Sequence, residues 1–244
     1  EAAKDRGTNV FHLNIGQPDI ETPPQFFESI INSNMKVLAY SHSAGIESLR
    51  EQIAAYYQRL GHSIDEGQVL VTTGASEALS FVFTALMHPG DEVIVCINGV
   101  FGGRMKDNME RAGATVHTLE VPWGETFSQQ AIADVVAKHP AAKLLGIVHA
   151  ETSTGALQDL TGIASIVHDA GMLLAVDTVT SLGGHDVKVD EWGIDAIYSG
   201  TQKCLSCPPG LSPVSFSPRA IEKMDGRKTK VQSWYLDVSM LKNY

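Results

Sequence analysis

A lysine, an aspartate and a turn of small residues carry most of the chemical possibilities in this sequence. Lys203 stands in Tyr-Ser-Gly-Thr-Gln-Lys-Cys-Leu-Ser-Cys-Pro-Pro-Gly, a turn-rich stretch just past an apolar run. A lysine held in such a loop can act as a nucleophile and proton carrier, because desolvation and nearby positive charge lower the cost of its neutral amine. A lone lysine is more often a solvated surface residue. Asp177 closes the apolar run Met-Leu-Leu-Ala-Val-Asp. A carboxylate there is costly to bury without a cationic partner, so it suits a counter-charge for a protonated ring nitrogen or a metal. The plainer reading is a helix N-cap, but Thr-Val-Thr-Ser-Leu-Gly-Gly follows and makes a poor helix start. Thr73-Gly74-Ala75-Ser76 joins an apolar run to a helical pattern. Small residues let backbone N–H groups at Ala75 and Ser76 approach an anion, and the helix dipole favours a phosphate there. An ordinary cap at a strand-to-helix turn would look the same. The turn is neither a GxGxxG nor a Walker loop, so dinucleotide and nucleoside triphosphate binding have no motif support.

Taken together, these residues are more specific than any one of them. A phosphate cradle, a carboxylate for a pyridinium nitrogen and a Schiff-base lysine are the set that pyridoxal phosphate chemistry requires.

The elements that must position this set follow from periodicity. Residues 1–45 read as an N-terminal arm and loops, with a short helix over Gln25–Asn34; residues 46–244 read as one cofactor-binding domain. Ile46–Leu60 is predicted as a helix whose Ile46, Leu49, Ile53, Tyr56, Tyr57 and Leu60 form one apolar face. Strands are predicted over 68–73, 92–97, 115–121, 143–149, 172–177, 195–199 and 211–216, and helices over 75–88, 102–112, 128–139 and 161–170. Strands separated by such helices imply an α/β fold, a three-layer α/β/α arrangement around a mostly parallel sheet. The near-continuous apolar strands EVIVCI, LLGIVHA and MLLAVD agree, since strands covered on both faces need not alternate. In open sheets of this kind ligands bind at the carboxyl ends of the strands. The polar residues there are Gly74-Ala75-Ser76, Asn98-Gly99, Glu151-Thr152-Ser153, Asp177 and Ser199 to Lys203.

Composition narrows the class. The 244 residues include 18 Lys and Arg against 28 Asp and Glu, a formal net charge of −10, which argues against a nucleic-acid partner. No run reaches the roughly 18–20 apolar residues of a membrane span, so no membrane partner is expected. Cys96, Cys204 and Cys207 form no even disulfide framework and read as free thiols of a reducing compartment, with the cytoplasm as the expected location. Cys204-x-x-Cys207 is half a zinc pattern, but no second Cys or His pair stands at ligand spacing, so no metal is expected.

Across nearly its whole length the sequence resembles the fold-type I pyridoxal-phosphate-dependent aminotransferases. Residues 10 to about 95 resemble the class I, aspartate aminotransferase-like group, through LNIGQPD, LAYSHSAGIESLREQIAAYY, VTTGASEAL and PGDEVIV. Residues from about 97 to 244 resemble the class V alanine/serine–glyoxylate group, through INGVFGGRM, VPWGE, HAETSTG, LLAVDTVTSLGG, GIDAIYSGTQKCLSCPPGLSPVSFS and RKTKVQSWYLDV. The two meet near Val95–Ile97, as in a chimera. The resemblance implies pyridoxal 5'-phosphate as cofactor, Lys203 as the Schiff-base lysine and proton-transfer base, and Asp177 as partner of the ring nitrogen. It implies Val179 on one ring face and Phe101 on the other, Thr152 near the phosphate or ring hydroxyl, and Gln202 with Ala75 and Ser76 on the phosphate. Gly16 would lie near the substrate carboxylate, and Tyr40 would reach the phosphate of a neighbouring subunit, which implies a homodimer. The resemblance also implies a C-terminal small domain following Tyr244, carrying the arginine for the substrate carboxylate, so this chain is expected to be a fragment. The implied reaction is transamination between an amino acid, alanine or serine favoured, and a 2-oxo acid, glyoxylate favoured. The alternatives are a class I-type aspartate or aromatic aminotransferase, and a non-catalytic fragment that binds the cofactor.

Overall fold

The computed structural model describes residues 2–10, 20–37, 39–59, 61 and 63–242. Two helices, α1 (Pro24–Ile31) and α2 (Glu47–Arg59), precede the first strand. Strands and helices then alternate: β1 (Leu70–Thr72), α3 (Ala75–Leu86), β2 (Glu92–Ile97), α4 (Val100–Arg111), β3 (Thr115–Glu120), α5 (Gln129–Lys138) and β4 (Leu144–Val148). A short hairpin, β5 (Ala150–Glu151) and β6 (Ala156–Leu157), leads to α6 (Ile163–Asp169), β7 (Leu173–Asp177), β8 (Ala196–Tyr198), β9 (Ser212–Phe216), α7 (Pro218–Asp225) and α8 (Val238–Lys242).

Seven strands form one sheet in the order β1-β9-β8-β7-β4-β2-β3. Within it β9 runs against its neighbours β1 and β8, while β8, β7, β4, β2 and β3 are parallel. The mostly parallel sheet expected from the strand–helix alternation is therefore present, and the predicted strands are found with ends shifted by a residue or two. The hairpin β5–β6 and the helices α7 and α8 were not anticipated. α7 carries an ordinary start signal: Ser217 caps it by accepting the Ala220 N–H, and Pro218 is its first residue.

The period-2 alternation of a strand assigns each side chain to one face of the sheet. Val93 and Val95 of β2, Leu144 and Val148 of β4, Leu173 and Ala175 of β7, and Ala196 and Tyr198 of β8 pack into one core with α3, α4 and α7. Ile94 and Cys96, Leu145 and Ile147, Leu174 and Val176, and Ile197 pack into a second core with α5 and α6. Both faces of the central strands are thus covered, which gives the three layers. Parity also places Asp177, two residues beyond Ala175, on the α3/α4 face.

The apolar face expected on α2 is not core within this chain. Ala54 is the one buried residue of that helix, while Ile46 is 58% exposed and Tyr56 44%. α1 has no buried residue, and Phe26, Phe27, Ile30 and Ile31 are all exposed. Helical periodicity shows that a helix has an apolar stripe, but does not show what covers it.

Two neighbouring glycines of α4 make opposite predictions. A Cβ at Gly102 would lie 2.9 Å from the Cys96 carbonyl oxygen and 3.0 Å from the Ile97 Cα, so the first turn of α4 meets the β2 backbone there. Gly103 has open space at the same position. Gly102→Ala should destabilise the chain by about 1–3 kcal/mol through overpacking against backbone. Gly103→Ala should stabilise it by about 0.5–1 kcal/mol through helix propensity. The shift in urea midpoint at unchanged slope measures both; a midpoint unmoved by Gly102→Ala would mean that the helix is not so tightly seated.

Candidate active site

The carboxyl ends of β1, β2, β4, β7 and β8 converge on the α3/α4 face, and the loops that follow them supply the polar groups. Asp177 is the last residue of β7 and only 5% exposed. Its Oδ1 accepts the Val179 N–H at 2.9 Å and its Oδ2 accepts the Tyr198 hydroxyl at 2.9 Å. Tyr198 is its register partner on β8, so the two side chains leave the sheet side by side. Burial pushes the Asp177 carboxyl up to about 6, against its two hydrogen bonds, and the negative Glu151 adds to the rise. Among the described residues no lysine, arginine or histidine forms an ion pair with it.

Val179 is buried two residues on, and Phe101 is half-buried in the first turn of α4; both pack into the core that lies on the Asp177 face. The Arg104 guanidinium lies over the Phe101 ring at 5.0 Å. Thr152 donates to the Thr180 hydroxyl at 3.1 Å, and Thr180 donates to the Ala150 carbonyl at 2.7 Å, which ties the hairpin after β4 to the loop after β7.

Ala75 and Ser76 open α3 directly after Gly74, whose φ of 151° is in the region that favours glycine. The Ala75 and Ser76 N–H groups have no acceptor within the helix and lie at its positive dipole end, while the Glu77 N–H donates to the Gly74 carbonyl at 3.1 Å. The turn is braced from outside: Glu77 accepts from the Thr73 N–H at 2.6 Å and from the Thr73 hydroxyl at 2.9 Å, and also from the Tyr235 hydroxyl.

Lys203 is half-buried in the loop between β8 and β9. That loop is closed at its base, where Thr201 donates its N–H to Leu211 and its hydroxyl to the carbonyls of Pro208 and Leu211. It is also docked sideways. Cys204 Sγ donates to the Thr180 carbonyl at 3.2 Å, and a Cβ at Gly184 would come within 2.6 Å of that sulfur. The loops after β7 and β8 therefore pack on each other with glycine as the spacer. The Gln202 side chain folds back over Gly200, whose hypothetical Cβ would meet Oε1 at 3.0 Å.

Three expectations stand apart from this arrangement. Tyr40 is fully exposed and joins no element of the site within the chain; its expected role lies across a protomer boundary. Gly16 lies outside the described residues. Cys204 and Cys207 are both exposed, and among the described residues they gather no third metal-ligating group.

One residue of the site received no role from the sequence. Glu151 is 1% exposed; its Oε2 accepts the N–H groups of Phe101 at 2.9 Å and Gly102 at 3.3 Å, and its Oε1 accepts the N–H and hydroxyl of Ser153. Ser153 Oγ in turn accepts the Val100 N–H at 3.0 Å. Two residues of the hairpin thus cap α4 in place of its own N-cap, Gly99, where any Cβ would collide with the Glu151 side chain. The only sequence signal was an acid at the end of the apolar strand, and its partners lie about fifty positions away.

Two outcomes follow. Glu151→Ala should cost about 2–4 kcal/mol, because several buried donors lose their acceptor together, and should speed amide exchange at Phe101 and Gly102 while that of β2 stays protected. The second concerns Asp177. Its carboxyl is raised in the folded state, so its contribution to stability is fully present below the ordinary value of 3.8 and is lost as pH rises through about 6. Asp177→Asn should therefore gain up to about 3 kcal/mol over the parent at pH 8 and nothing at pH 3.5, in cofactor-free protein. The difference between the two proteins is the quantity to measure, because buried His149, held down to about 4, contributes with the opposite sign in an overlapping window. A difference that is flat with pH would show that Asp177 is not raised.

The aminotransferase class-V family matches residues 25–243 of this chain. The alanine–glyoxylate aminotransferase of Oryctolagus cuniculus is 43% identical over 68% of this chain and 42% of its own length. The (S)-ureidoglycine–glyoxylate transaminase of Bacillus subtilis is 36% identical over 70% of this chain and 45% of its own length. Among solved structures, the alanine–glyoxylate aminotransferase from Nostoc sp. superposes with a TM-score of 0.79 at 33% identity, covering 99% of this chain and 64% of that one. An aspartate aminotransferase from Thermus thermophilus superposes with a TM-score of 0.72 at 32% identity, covering 92% and 60%. The chain spans about two fifths of the length of the curated relatives it matches. The family match takes in residues 25–95 as well, so it runs unbroken through the place where the two sets of motifs meet, and β2 there is one continuous strand. With the family match covering most of its length, this chain is a member of the class-V aminotransferase family.

Proposed function

We propose that the chain holds pyridoxal 5'-phosphate and forms the cofactor-binding part of an enzyme that passes an amino group from alanine or serine to glyoxylate. The observation that carries the cofactor assignment is Asp177, a buried carboxylate with two neutral donors and no ion-pair partner among the described residues. A protonated ring nitrogen would supply the missing positive charge and offset the desolvation cost. The other residues fit the same group. The first turn of α3 offers N–H donors to a phosphate, with Gln202 as a further polar side chain, and Phe101 and Val179 offer apolar surface to the ring faces.

When bound, the cofactor supplies an electrophilic carbon for an amine and an electron-withdrawing ring that stabilises a carbanion. Asp177, as an ionised carboxylate, would hold the proton on the ring nitrogen. Lys203 would hold the cofactor through its Nζ and would serve as the base that carries the proton of the substrate Cα. Phe101 and Val179 would flank the ring and hold it in place. Thr152 bonds near the phosphate or the ring hydroxyl. The reaction balances as an exchange: the amino acid leaves as a 2-oxo acid, and the 2-oxo acid leaves as an amino acid. Gly16 and the substrate carboxylate, Tyr40 and a partner's phosphate, a homodimer, a cytoplasmic location and a further domain after Tyr244 belong to the same reading.

Glyoxylate is favoured as acceptor because the names of both relatives above include it, whereas their donors differ. The aspartate aminotransferase fold match supports a second reading, with aspartate as donor. Added cofactor should give the chain a visible absorbance band that shifts on addition of the true donor. Lys203→Ala should abolish the shift and lower turnover by about a thousandfold or more. A panel of alanine, serine and aspartate, each against glyoxylate and 2-oxoglutarate, separates the two readings. A folded, colourless protein that binds no cofactor would overturn both.

A further inference from the structure

On the opposite face of the sheet, at its far edge, three metal-ligating side chains meet that the transamination chemistry does not use. Glu92 is the first residue of β2 and His117 lies within β3, the strand at the sheet edge. His117 is the register partner of Ile94, so Glu92 stands diagonally across from it on the same face. His139 is the C-cap of α5, the helix that covers that face. The His117 Nε2 lies 2.9 Å from the Glu92 Oε2, and the two imidazole rings lie 3.7 Å apart and nearly parallel, at 16°. One ligand atom from each of the three residues falls within 4.8 Å of the others.

We propose that Glu92, His117 and His139 bind a zinc-type divalent cation, in a site separate from the cofactor site. The chemistry of the set supports this. Two imidazoles and one carboxylate match the ligand preference of zinc and leave a fourth position for water. Two ligands of a tetrahedral zinc with bonds of about 2.0 Å stand roughly 3.3 Å apart; the His117 Nε2 and Glu92 Oε2, at 2.9 Å, would open slightly to that spacing, and the His139 ring would turn out of its stack so that its lone pair, which lies in the ring plane, also meets the ion. His139 also sits at the carboxyl end of a ten-residue helix, where the dipole favours a cation. All three side chains are partly exposed, which leaves a route for the ion.

Such an ion would join β2, β3 and α5 at the one parallel edge of the sheet, where β3 presents an unpaired side to solvent. Glu92 and Ile97 bound β2 at its two ends, about 16 Å apart at the usual rise of a parallel strand, so the ion would staple the fold rather than enter the reaction. The sequence hid the site because its ligands come from three elements with no local spacing motif.

The test is zinc competition with a chromophoric chelator on the purified chain, with cobalt substitution as a spectroscopic readout. One equivalent should bind, and the cobalt spectrum should show nitrogen and oxygen ligation without a thiolate charge-transfer band. His117→Asn and His139→Asn should each weaken binding by about tenfold or more, and Glu92→Gln should do the same with the least effect on packing. Cys204→Ser with Cys207→Ser should leave it unchanged. Saturating zinc should raise the melting temperature of the parent by several degrees and leave the His117→Asn melt unmoved. Absence of stoichiometric binding, binding indifferent to Glu92→Gln and the histidine variants, or a thiolate band lost with the cysteines would each overturn the proposal.

Discussion

A strand covered on both faces cannot carry a charge without consequence, and β7 ends in one. The carboxylate of Asp177 lies at the end of a strand whose other residues are all buried, and only two neutral donors reach it. Glu151 shows what full compensation looks like a short way off. It is buried as deeply, yet it accepts three backbone N–H groups and a hydroxyl, at the positive end of α4. One carboxylate is thus consumed in building the site, and the other is left under-satisfied toward its interior. That contrast separates a structural acid from one that awaits a cation.

The rest of the arrangement can be read as what keeps Asp177 in that state. The alternation of β2, β4, β7 and β8 between two cores fixes which face it enters. Glycines at 183 and 184 let the next loop close over the strand ends, and the Thr201 bonds to Leu211 and Pro208 hold the base of the Lys203 loop against β9. Thr73, Glu77 and Tyr235 brace the small-residue turn at α3 from outside.

Much of this was legible in the sequence, and the illegible parts share a cause. The strands, the parallel sheet and the positions of Lys203, Asp177 and the Ala75-Ser76 turn follow from local pattern: apolar runs, their polar ends and the turn residues between. Ser128 was readable as a cap because its acceptor role is local, to the Ala131 N–H. Glu151 was not, because its capped helix lies fifty positions upstream and its partners are backbone atoms without a sequence signature. The apolar stripe of α2 was legible as a stripe, whereas its cover was not, since periodicity fixes the side of a helix but not what packs on it. α7 has an ordinary helix start in Ser217-Pro218, but at eight residues it is too short for its periodicity to stand out.

Parity explains why neighbouring titratable groups at the same sheet end do different things. His149 follows β4 as closely as the site loops do, but it bonds to Ser181 and packs edge-on against Trp192, itself part of the second core. Burial holds that imidazole down to about 4 and pushes the Asp177 carboxyl up to about 6, so in both cases the protein resists charge. At neutral pH the outcomes differ in kind. The histidine is neutral and content, with a hydroxyl at its Nδ1, whereas the aspartate lies above its own titration and stays ionised at a standing cost. One face of the sheet end is therefore electrically quiet and the other holds buried negative charge beside a lysine loop. A positive charge brought to the second face would relieve that cost, and a neutral group would not.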